Sequence, residues 1–252
     1  MRVDINADLG EGGQHDDQLY SLITSANIAC GFHAGDADTM RVAILRARDA
    51  GVAVGAHPSL FDRENFGRKE LPVTAGDVAN AVKYQLGIFQ SIAESADVSM
   101  THVKPHGALY NMAARNSELA GAVIESVMEI DPALILFGPA GSELVSAGER
   151  AGLKIAREVF ADRNYLANGS LVPRARPDAL LHDPSEAAER VVRMLRDGKV
   201  RSVEGPDVDV QAETVCVHGD APGAVEFARA LRSRLKKEGV RISAPGKCFD
   251  DK

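Results

Sequence analysis

The sequence predicts an α/β fold, a single-domain barrel of parallel strands and helices that spans residues 1–252. Short apolar runs recur along the whole chain, and most of them are followed by a segment with helical periodicity. Aromatic residues make up only 5% of the chain while aliphatic residues are plentiful, which suits a buried parallel sheet covered by helices. Regular alternation of strands and helices means parallel pairing with right-handed crossovers.

Seven segments have the length and composition of buried strands. They are 3–8, 25–29, 52–56, 100–104, 133–137, 154–160 and 214–217. Seven parallel strands fit a closed or nearly closed barrel better than two domains, and an open doubly wound sheet is the alternative. Residues 200–210 are compatible with one more short strand.

Six segments have the periodicity of helices. They are 39–50, 74–96, 117–130, 142–151, 185–197 and 222–238. Several begin at a good capping residue, namely Thr39, Thr74, Ser117 and Ser185. Two loops, 58–72 and 162–184, are longer than an ordinary connector, which is typical of functional lids or of variable insertions.

Charge and cysteine content exclude several classes of protein. The formal net charge is -7, so the chain lacks the basic surface of a nucleic-acid-binding protein. No apolar run approaches the length of a membrane span, and the first residues pass straight into a strand, so we expect no signal peptide. Three cysteines without a CxxC pair predict reduced thiols and a cytoplasmic protein. Whether the chain forms a homo-oligomer is left open.

Polar side chains collect at the carboxyl ends of the predicted strands. In the first strand Asp4, Asn6 and Asp8 share one face, because side chains alternate along a strand. The other strands contribute Asn27, His33, His57, Lys104, His106, Glu158, Arg163, Cys216 and His218. In a β/α barrel these ends meet at one rim, where active sites lie. Because charged groups on the inner face are costly unless they pair or bind a ligand, the pattern predicts a polar site.

Each of these residues also has a structural interpretation. Two histidines and a lysine in 102–106 would be tolerated on a solvated edge strand as well as in a pocket, and the polar ends of the other strands favour the pocket. Lys104 could be a core lysine paired with Glu158 or Asp4. His102 lies one pleat deeper than His106, so a structural role is equally compatible with its position.

Recognisable nucleotide and hydrolase motifs are absent from the sequence. It contains no GxxxxGK[ST] loop, no GxGxxG after the first strand, no GxSxG elbow and no HExxH. Histidines and carboxylates spread over several strands are ligands that suit a divalent metal, although their spacing alone does not place them together. His15 and His182 lie in polar loops and are expected to be exposed.

Eight segments carry a resemblance to a known family. They are DINADLGEG (4–12), SANIACGFHAGD (25–36), GAHPS (55–59), FGR (66–68), HVKPHGALYN (102–111), EVFADRNY (158–165), SLVPR (170–174) and CVHGD (216–220). In these segments the chain resembles the LamB/YcsF family, whose members are A subunits of prokaryotic 5-oxoprolinases. The resemblance implies a distorted, seven-stranded barrel of the glycoside hydrolase and deacetylase type. The chain departs from the family at Ala7, where a cysteine is usual.

The resemblance also implies an activity, the ATP-dependent hydrolysis of 5-oxo-L-proline (pyroglutamate) to L-glutamate together with separate B and C subunits. A lactam amide is a poor electrophile, so ring opening needs ATP. One route phosphorylates the amide oxygen, after which water adds to the activated carbon and the ring nitrogen leaves. That route needs cations near the phosphoryl group, a base for the water and an acid for the nitrogen.

Site residues follow from this resemblance. The catalytic candidates are Asp8, Lys104, His106 and His33, with Lys104 as the cation and with Asp8 and His106 as base and acid. The substrate-binding candidates are Asn6, Asn27, Arg68, Glu158, Arg163 and His218. By analogy with deacetylase-like barrels, Asp8, His57 and His106 would hold a divalent metal ion.

Two other functions are compatible with the same residues. A stand-alone, metal-dependent N-acyl or polysaccharide deacetylase would hold its metal tightly and turn over without ATP. A non-catalytic subunit that binds a small acid would bind its ligand and show no turnover.

Overall fold

The computed structural model describes residues 1–217 and 223–248. The strands are β1 (Arg2–Leu9), β2 (Ser25–Ala29), β3 (Ala53–His57), β4 (His102–Val103), β5 (Ile135–Pro139), β6 (Lys154–Phe160), β7 (Lys199–Arg201), β8 (Asp207–Asp209), β9 (Thr214–Val217) and β10 (Arg241–Ile242). The helices are α1 (Asp16–Leu19), α2 (Ala37–Asp49), α3 (Ala75–Ser95), α4 (Gly107–Arg115), α5 (Ser117–Ile130), α6 (Glu143–Ala151), α7 (Pro184–Asp197) and α8 (Ala224–Lys237). Within these two ranges, no helix combines the length and the apolar character that crossing a bilayer requires.

Seven parallel strands close into a barrel in the order β1, β2, β3, β4, β5, β6, β9, and β9 pairs back onto β1. The predicted barrel is therefore confirmed, and ring closure excludes the open doubly wound sheet. The short β10 extends the amino-terminal end of β1, where Arg2 is aligned with Arg241. The strand expected within 200–210 is instead an antiparallel hairpin, formed by β7 and β8 outside the ring.

The first strand shows how the sequence assigns the two faces of the barrel wall. Val3, Ile5, Ala7 and Leu9 belong to the main hydrophobic core, which lies between the strands and the surrounding helices. The alternate residues of β1 are polar, and their side chains bond to residues on other strands across the interior. The apolar core thus surrounds the barrel and leaves its interior to polar groups.

The His102 side chain is packed inside the barrel, one pleat below the residues at the strand ends. Its ring stacks on Phe137, with centroids 4.3 Å apart and an angle of 13° between the planes. A Cβ atom added to Gly55 of the neighbouring β3 would lie 2.2 Å from the His102 ring. A glycine is required at this position because the imidazole occupies the space that any side chain would need.

We expect Gly55→Ala to lower the free energy of unfolding by about 1–3 kcal/mol, because overpacking forces shifts in a filled interior. The matched control is Gly87→Ala in the middle of α3, where an added Cβ meets nothing within 4 Å. That change should be neutral or stabilising by up to about 1 kcal/mol, since alanine favours helix. Urea unfolding of both variants provides the measurement, and equal stabilities would contradict the packing argument.

Candidate functional site

A buried lysine lies at the centre of the barrel interior. Lys104 follows β4 directly, and its Nζ is 2.9 Å from Asp8 Oδ1 and 2.9 Å from Glu158 Oε1. Burial alone would lower the pKa of Lys104, but Asp8, the Cys216 thiol and Glu158 outweigh it and raise this pKa well above its usual value. Lys104 therefore stays charged. The sequence suggested Glu158 or Asp4 as its partner, and in the structure it pairs with Glu158 and with Asp8.

Two asparagines and a tyrosine fix the carboxylates around this lysine. Asn6 Nδ2 donates to Glu158 Oε1 at 2.9 Å, and Asn27 Nδ2 donates to Asp8 Oδ1 at 2.8 Å. The Tyr110 hydroxyl donates to Glu158 Oε2. The structure thus brings three predicted substrate-binding residues (Asn6, Asn27 and Glu158) into one buried network with Lys104.

Four further side chains converge at the rim. Glu11, His33, His57 and His106 each offer one ligand atom, and these four atoms lie within 4.8 Å of one another. His57 Nε2 is 2.9 Å from His106 Nδ1, and His33 Nε2 is 2.8 Å from Glu11 Oε1. Asp8 joins this histidine cluster to the lysine network, because its Oδ2 is 3.4 Å from His57 Nε2. The predicted residues Asp8, His33, His57 and His106 therefore belong to one site.

Glu11 was missed by the sequence analysis. It lies after β1, where the alternation of a strand no longer predicts which way a side chain points. Its neighbours Gly10 and Gly12 have φ angles of 72° and 84°, a left-handed conformation that glycine adopts readily. This pair of glycines is the signal that the chain turns here and brings the carboxylate back over the rim.

The outer nitrogens of the three clustered imidazoles are held by the surrounding chain. His57 Nδ1 is 2.6 Å from the Lys104 carbonyl oxygen, His106 Nε2 is 2.8 Å from the Phe66 carbonyl oxygen, and His33 Nδ1 is 3.0 Å from Ser59 Oγ. Burial lowers the pKa of His33 to about 3 and that of His106 to about 2, with the nearby His57 contributing to both. For His57, burial is outweighed by Asp8 and Glu11, which raise its pKa.

The long loop 58–72 packs directly on the histidine cluster. A Cβ atom added to Gly67 would lie 2.8 Å from His33 Cβ and 2.9 Å from His106 Cδ2. The Gly67 carbonyl oxygen accepts a hydrogen bond from the Ala108 amide at the start of α4. Arg68 lies on the same loop, with its guanidinium carbon 4.8 Å from the centroid of the Phe66 ring. The predicted lid is thus a wall of the site.

Arg163 lies three residues after the end of β6 and is buried, with 7% of its surface exposed. One terminal nitrogen donates to the Val172 carbonyl oxygen at 2.6 Å, and its buried Nε has no hydrogen-bond partner among the residues that the structure describes. Burial, with the charge of Arg174, lowers the pKa of Arg163 to about 10, while Asp162, Tyr165 and Cys216 act in the opposite direction. The predicted residue His218 lies outside the described residues.

Comparison with known proteins assigns the family. The model of the LamB/YcsF family matches residues 3–249. The chain belongs to the LamB/YcsF family. It is similar to the 5-oxoprolinase A subunit of Bacillus licheniformis, at 49% identity over 248 residues that cover 96% of this chain and 98% of that protein.

Solved structures agree with this assignment. The lactam utilization protein from Thermus thermophilus is 41% identical, with a TM-score of 0.91, and the match covers 97% of this chain and 100% of that one. A deacetylase structure with substrate is 15% identical, with a TM-score of 0.51, and covers 98% of this chain and 90% of that one. The latter likeness shows a shared fold. The resemblance inferred from the sequence motifs is therefore confirmed.

In this member of the LamB/YcsF family, a second buried acid lies below the lysine network. Asp4 Oδ1 accepts hydrogen bonds from Thr24 Oγ1 at 2.6 Å and Ser25 Oγ at 2.8 Å, and Oδ2 accepts one from Thr214 Oγ1 at 2.5 Å. Burial raises the pKa of Asp4 to about 6, although these three hydroxyl groups partly oppose the shift. The ionised carboxylate is thus tolerated at neutral pH at a cost in stability.

The pH dependence of stability tests this cost. The pKa of Asp4 is higher in the folded protein than in the unfolded chain, so its contribution to stability is complete below pH 3.8 and is lost as the pH rises through about 6. Two pKa units correspond to about 3 kcal/mol. We expect the stability of Asp4→Asn relative to the original protein to increase by about 1–3 kcal/mol between pH 4 and pH 7, measured by urea unfolding. Parallel pH profiles for the two proteins would contradict the assignment.

Proposed function

We propose that this protein hydrolyses the lactam ring of 5-oxo-L-proline to L-glutamate, as the A subunit of an ATP-dependent 5-oxoprolinase in the cytoplasm. The observation that carries the proposal is the 49% identity, over nearly the full length of both chains, to the 5-oxoprolinase A subunit of Bacillus licheniformis. A rim that holds a cation, carboxylates and imidazoles side by side supports it, because lactam hydrolysis needs all three kinds of group.

ATP and two further subunits are part of this proposal. Transfer of the terminal phosphoryl group of ATP to the amide oxygen releases ADP and turns the lactam into a good electrophile. Water adds to the activated carbon, the ring nitrogen leaves with a proton, and the resulting acyl phosphate is hydrolysed by a second water to L-glutamate and phosphate. The sequence contains no GxxxxGK[ST] phosphate loop. Coupling of ring opening to ATP hydrolysis is therefore proposed to need the assembly with separate B and C subunits. The charge developed on the activated oxygen is stabilised by the ammonium group of Lys104.

Exposure distinguishes the two carboxylates that contact Lys104. The Glu158 side chain is fully buried, whereas 14% of the Asp8 side chain is exposed. Asp8 is therefore the carboxylate that a water molecule at the rim can reach, and we assign it as the general base. Burial lowers the pKa of His106 to about 2, so its neutral ring does not supply the proton for the leaving nitrogen, the role that the sequence suggested.

Replacement of Lys104 tests the role of the cation. In a mixture with B and C subunits, we expect Lys104→Met to lower ATP-dependent glutamate release at least about 100-fold, the scale seen when a charge-stabilising group is removed. The matched control is Lys83→Met on the surface of α3, where Lys83 pairs with Glu129, and this variant should keep its activity. Release of glutamate is measured with and without ATP.

A second variant separates loss of the cation from loss of the fold. Removing one partner of a buried ion pair costs about 3–5 kcal/mol, so the folded state of Lys104→Met is checked by circular dichroism. Asp8→Asn keeps the shape of the side chain and should also lose activity. Full activity in both variants would contradict the proposal.

The same mixture decides between this proposal and the two other functions. Release of acetate from an N-acetylated polysaccharide without ATP would instead indicate a metal-dependent deacetylase. Ligand binding by the complete mixture with no turnover would indicate a subunit that only binds a small acid. Both outcomes would overturn the proposed ATP-dependent ring opening.

Arg163 is the proposed partner of the substrate carboxylate. A guanidinium presents several N–H groups to a carboxylate, and the Nε of Arg163 is buried without a partner among the described residues. We expect Arg163→Gln to raise KM for 5-oxoproline about 10- to 100-fold with a smaller effect on kcat. Arg201→Gln on the exposed β7 is the matched control. An unchanged KM in Arg163→Gln would refute this role, whereas Arg68 and His218 would remain predicted substrate-binding residues.

A further inference from the structure

His57 and His106 face each other through two ring nitrogens that both act as hydrogen-bond acceptors. A carbonyl oxygen only accepts hydrogen bonds, so the contacts with the Lys104 and Phe66 carbonyl oxygens place a proton on His57 Nδ1 and on His106 Nε2. In the neutral rings, His57 Nε2 and His106 Nδ1 therefore both carry lone pairs, and these two atoms are 2.9 Å apart. Two acceptors at this distance repel unless a positive charge lies beside both.

Glu11 completes the surroundings of this pair. Its Oε1 is 3.4 Å from His106 Nδ1 and 3.8 Å from His57 Nε2. In a tetrahedral site with bonds of about 2.0–2.1 Å, ligand atoms lie about 3.3 Å apart. The three separations in the structure, 2.9, 3.4 and 3.8 Å, bracket that value.

We propose that His57 Nε2, His106 Nδ1 and the Glu11 carboxylate bind a divalent transition-metal ion of the zinc class. Two imidazoles and one carboxylate suit zinc, iron or nickel better than magnesium or calcium, which prefer oxygen ligands. Three protein ligands leave a position open, as in catalytic zinc sites. An ion at this place would supply Lewis-acid chemistry, polarising a carbonyl oxygen or a water molecule.

His33 acts on this site as a positioning residue. The rings of His33 and His106 stack with centroids 3.8 Å apart and an angle of 6° between their planes. Imidazole lone pairs lie in the ring plane, so two parallel stacked rings do not both point at one ion between them. His33 Nε2 instead contacts Glu11 Oε1 at 2.8 Å, and Ser59 holds the other ring nitrogen. His33 thus holds the Glu11 carboxylate in place, as residues that hydrogen-bond to metal ligands do in known metal sites.

Asp8 lies beside the proposed ion and is distinguished from Glu11 by its other contacts. Asp8 Oδ2 is 3.4 Å from His57 Nε2, but Oδ1 bonds to Lys104 Nζ and Asn27 Nδ2, and these bonds hold the carboxylate toward the lysine network. We therefore expect Asp8→Asn to retain metal binding and Glu11→Gln to weaken it. The sequence-based set of Asp8, His57 and His106 predicts the reverse order.

The experiment measures metal binding without substrate, ATP or partner subunits, so its result is separate from that of the activity assay. Chelator-treated protein is titrated with Zn²⁺ by calorimetry and with Co²⁺ by visible absorption. We expect one ion per chain, at least 100-fold weaker binding in His57→Gln and His106→Gln, and 10- to 100-fold weaker binding in His33→Gln at unchanged stoichiometry. The exposed His182 provides the matched control, His182→Gln, which should bind normally.

Several outcomes would overturn the metal site. The original protein could bind no ion, with a proton shared between His57 and His106, or binding could persist unchanged in His57→Gln. The histidine variants could fail to fold, and Glu11→Gln then provides an independent test, because Glu11 lies on a loop outside the barrel strands. A rise in Tm on adding Zn²⁺, present in the original protein and reduced in Glu11→Gln, gives a second measurement of the same site.

Discussion

One buried ammonium group makes the polar interior of this barrel possible. The interiors of β/α barrels are usually filled by aliphatic layers, whereas here Asp8 and Glu158 approach the barrel centre from β1 and β6. Either carboxylate alone would be costly to bury, and Lys104 from the opposite wall neutralises both. Asp8 also contacts His57 through its second oxygen, so the charge balance of the lysine network and the geometry of the histidine cluster depend on the same carboxylate.

Most of the fold was predictable because residues along a barrel strand alternate between the surrounding core and the interior, which leaves a recognisable pattern in the sequence. All seven ring strands lie where apolar runs were found, and the helices follow them. Capping residues were less well predicted than helix positions, since Asp36, Asn116 and Asp183 cap three helices in place of Thr39, Ser117 and Ser185, whereas Thr74 caps α3 as predicted. The helix α4 was missed because its first residue is Gly107, and a proline and a glycine on either side of His106 suggested only the end of a strand.

The site was predictable where side chains belong to strands and not where they belong to turns. Lys104, Asp8 and His57 lie on or directly after strands, so strand register alone brought them to one rim. Glu11 lies between two glycines in a turn, where no periodicity applies, and its position depends on backbone torsion. His15 was expected to be exposed and is half-buried at the start of α1, whereas His182 is exposed as expected.

The pairing of β1 has a consequence for folding during synthesis. This strand is made first, yet it pairs with β2, with β9 and with β10, so one of its edges stays open until residues 214–242 have left the ribosome. An open strand edge is a template for pairing with other chains. Closure between the two ends of the chain also makes folding slow. A nascent chain of this protein therefore carries its carboxylate-bearing strand with one edge unpaired for most of its synthesis, and we expect products truncated before β9 to be prone to aggregate.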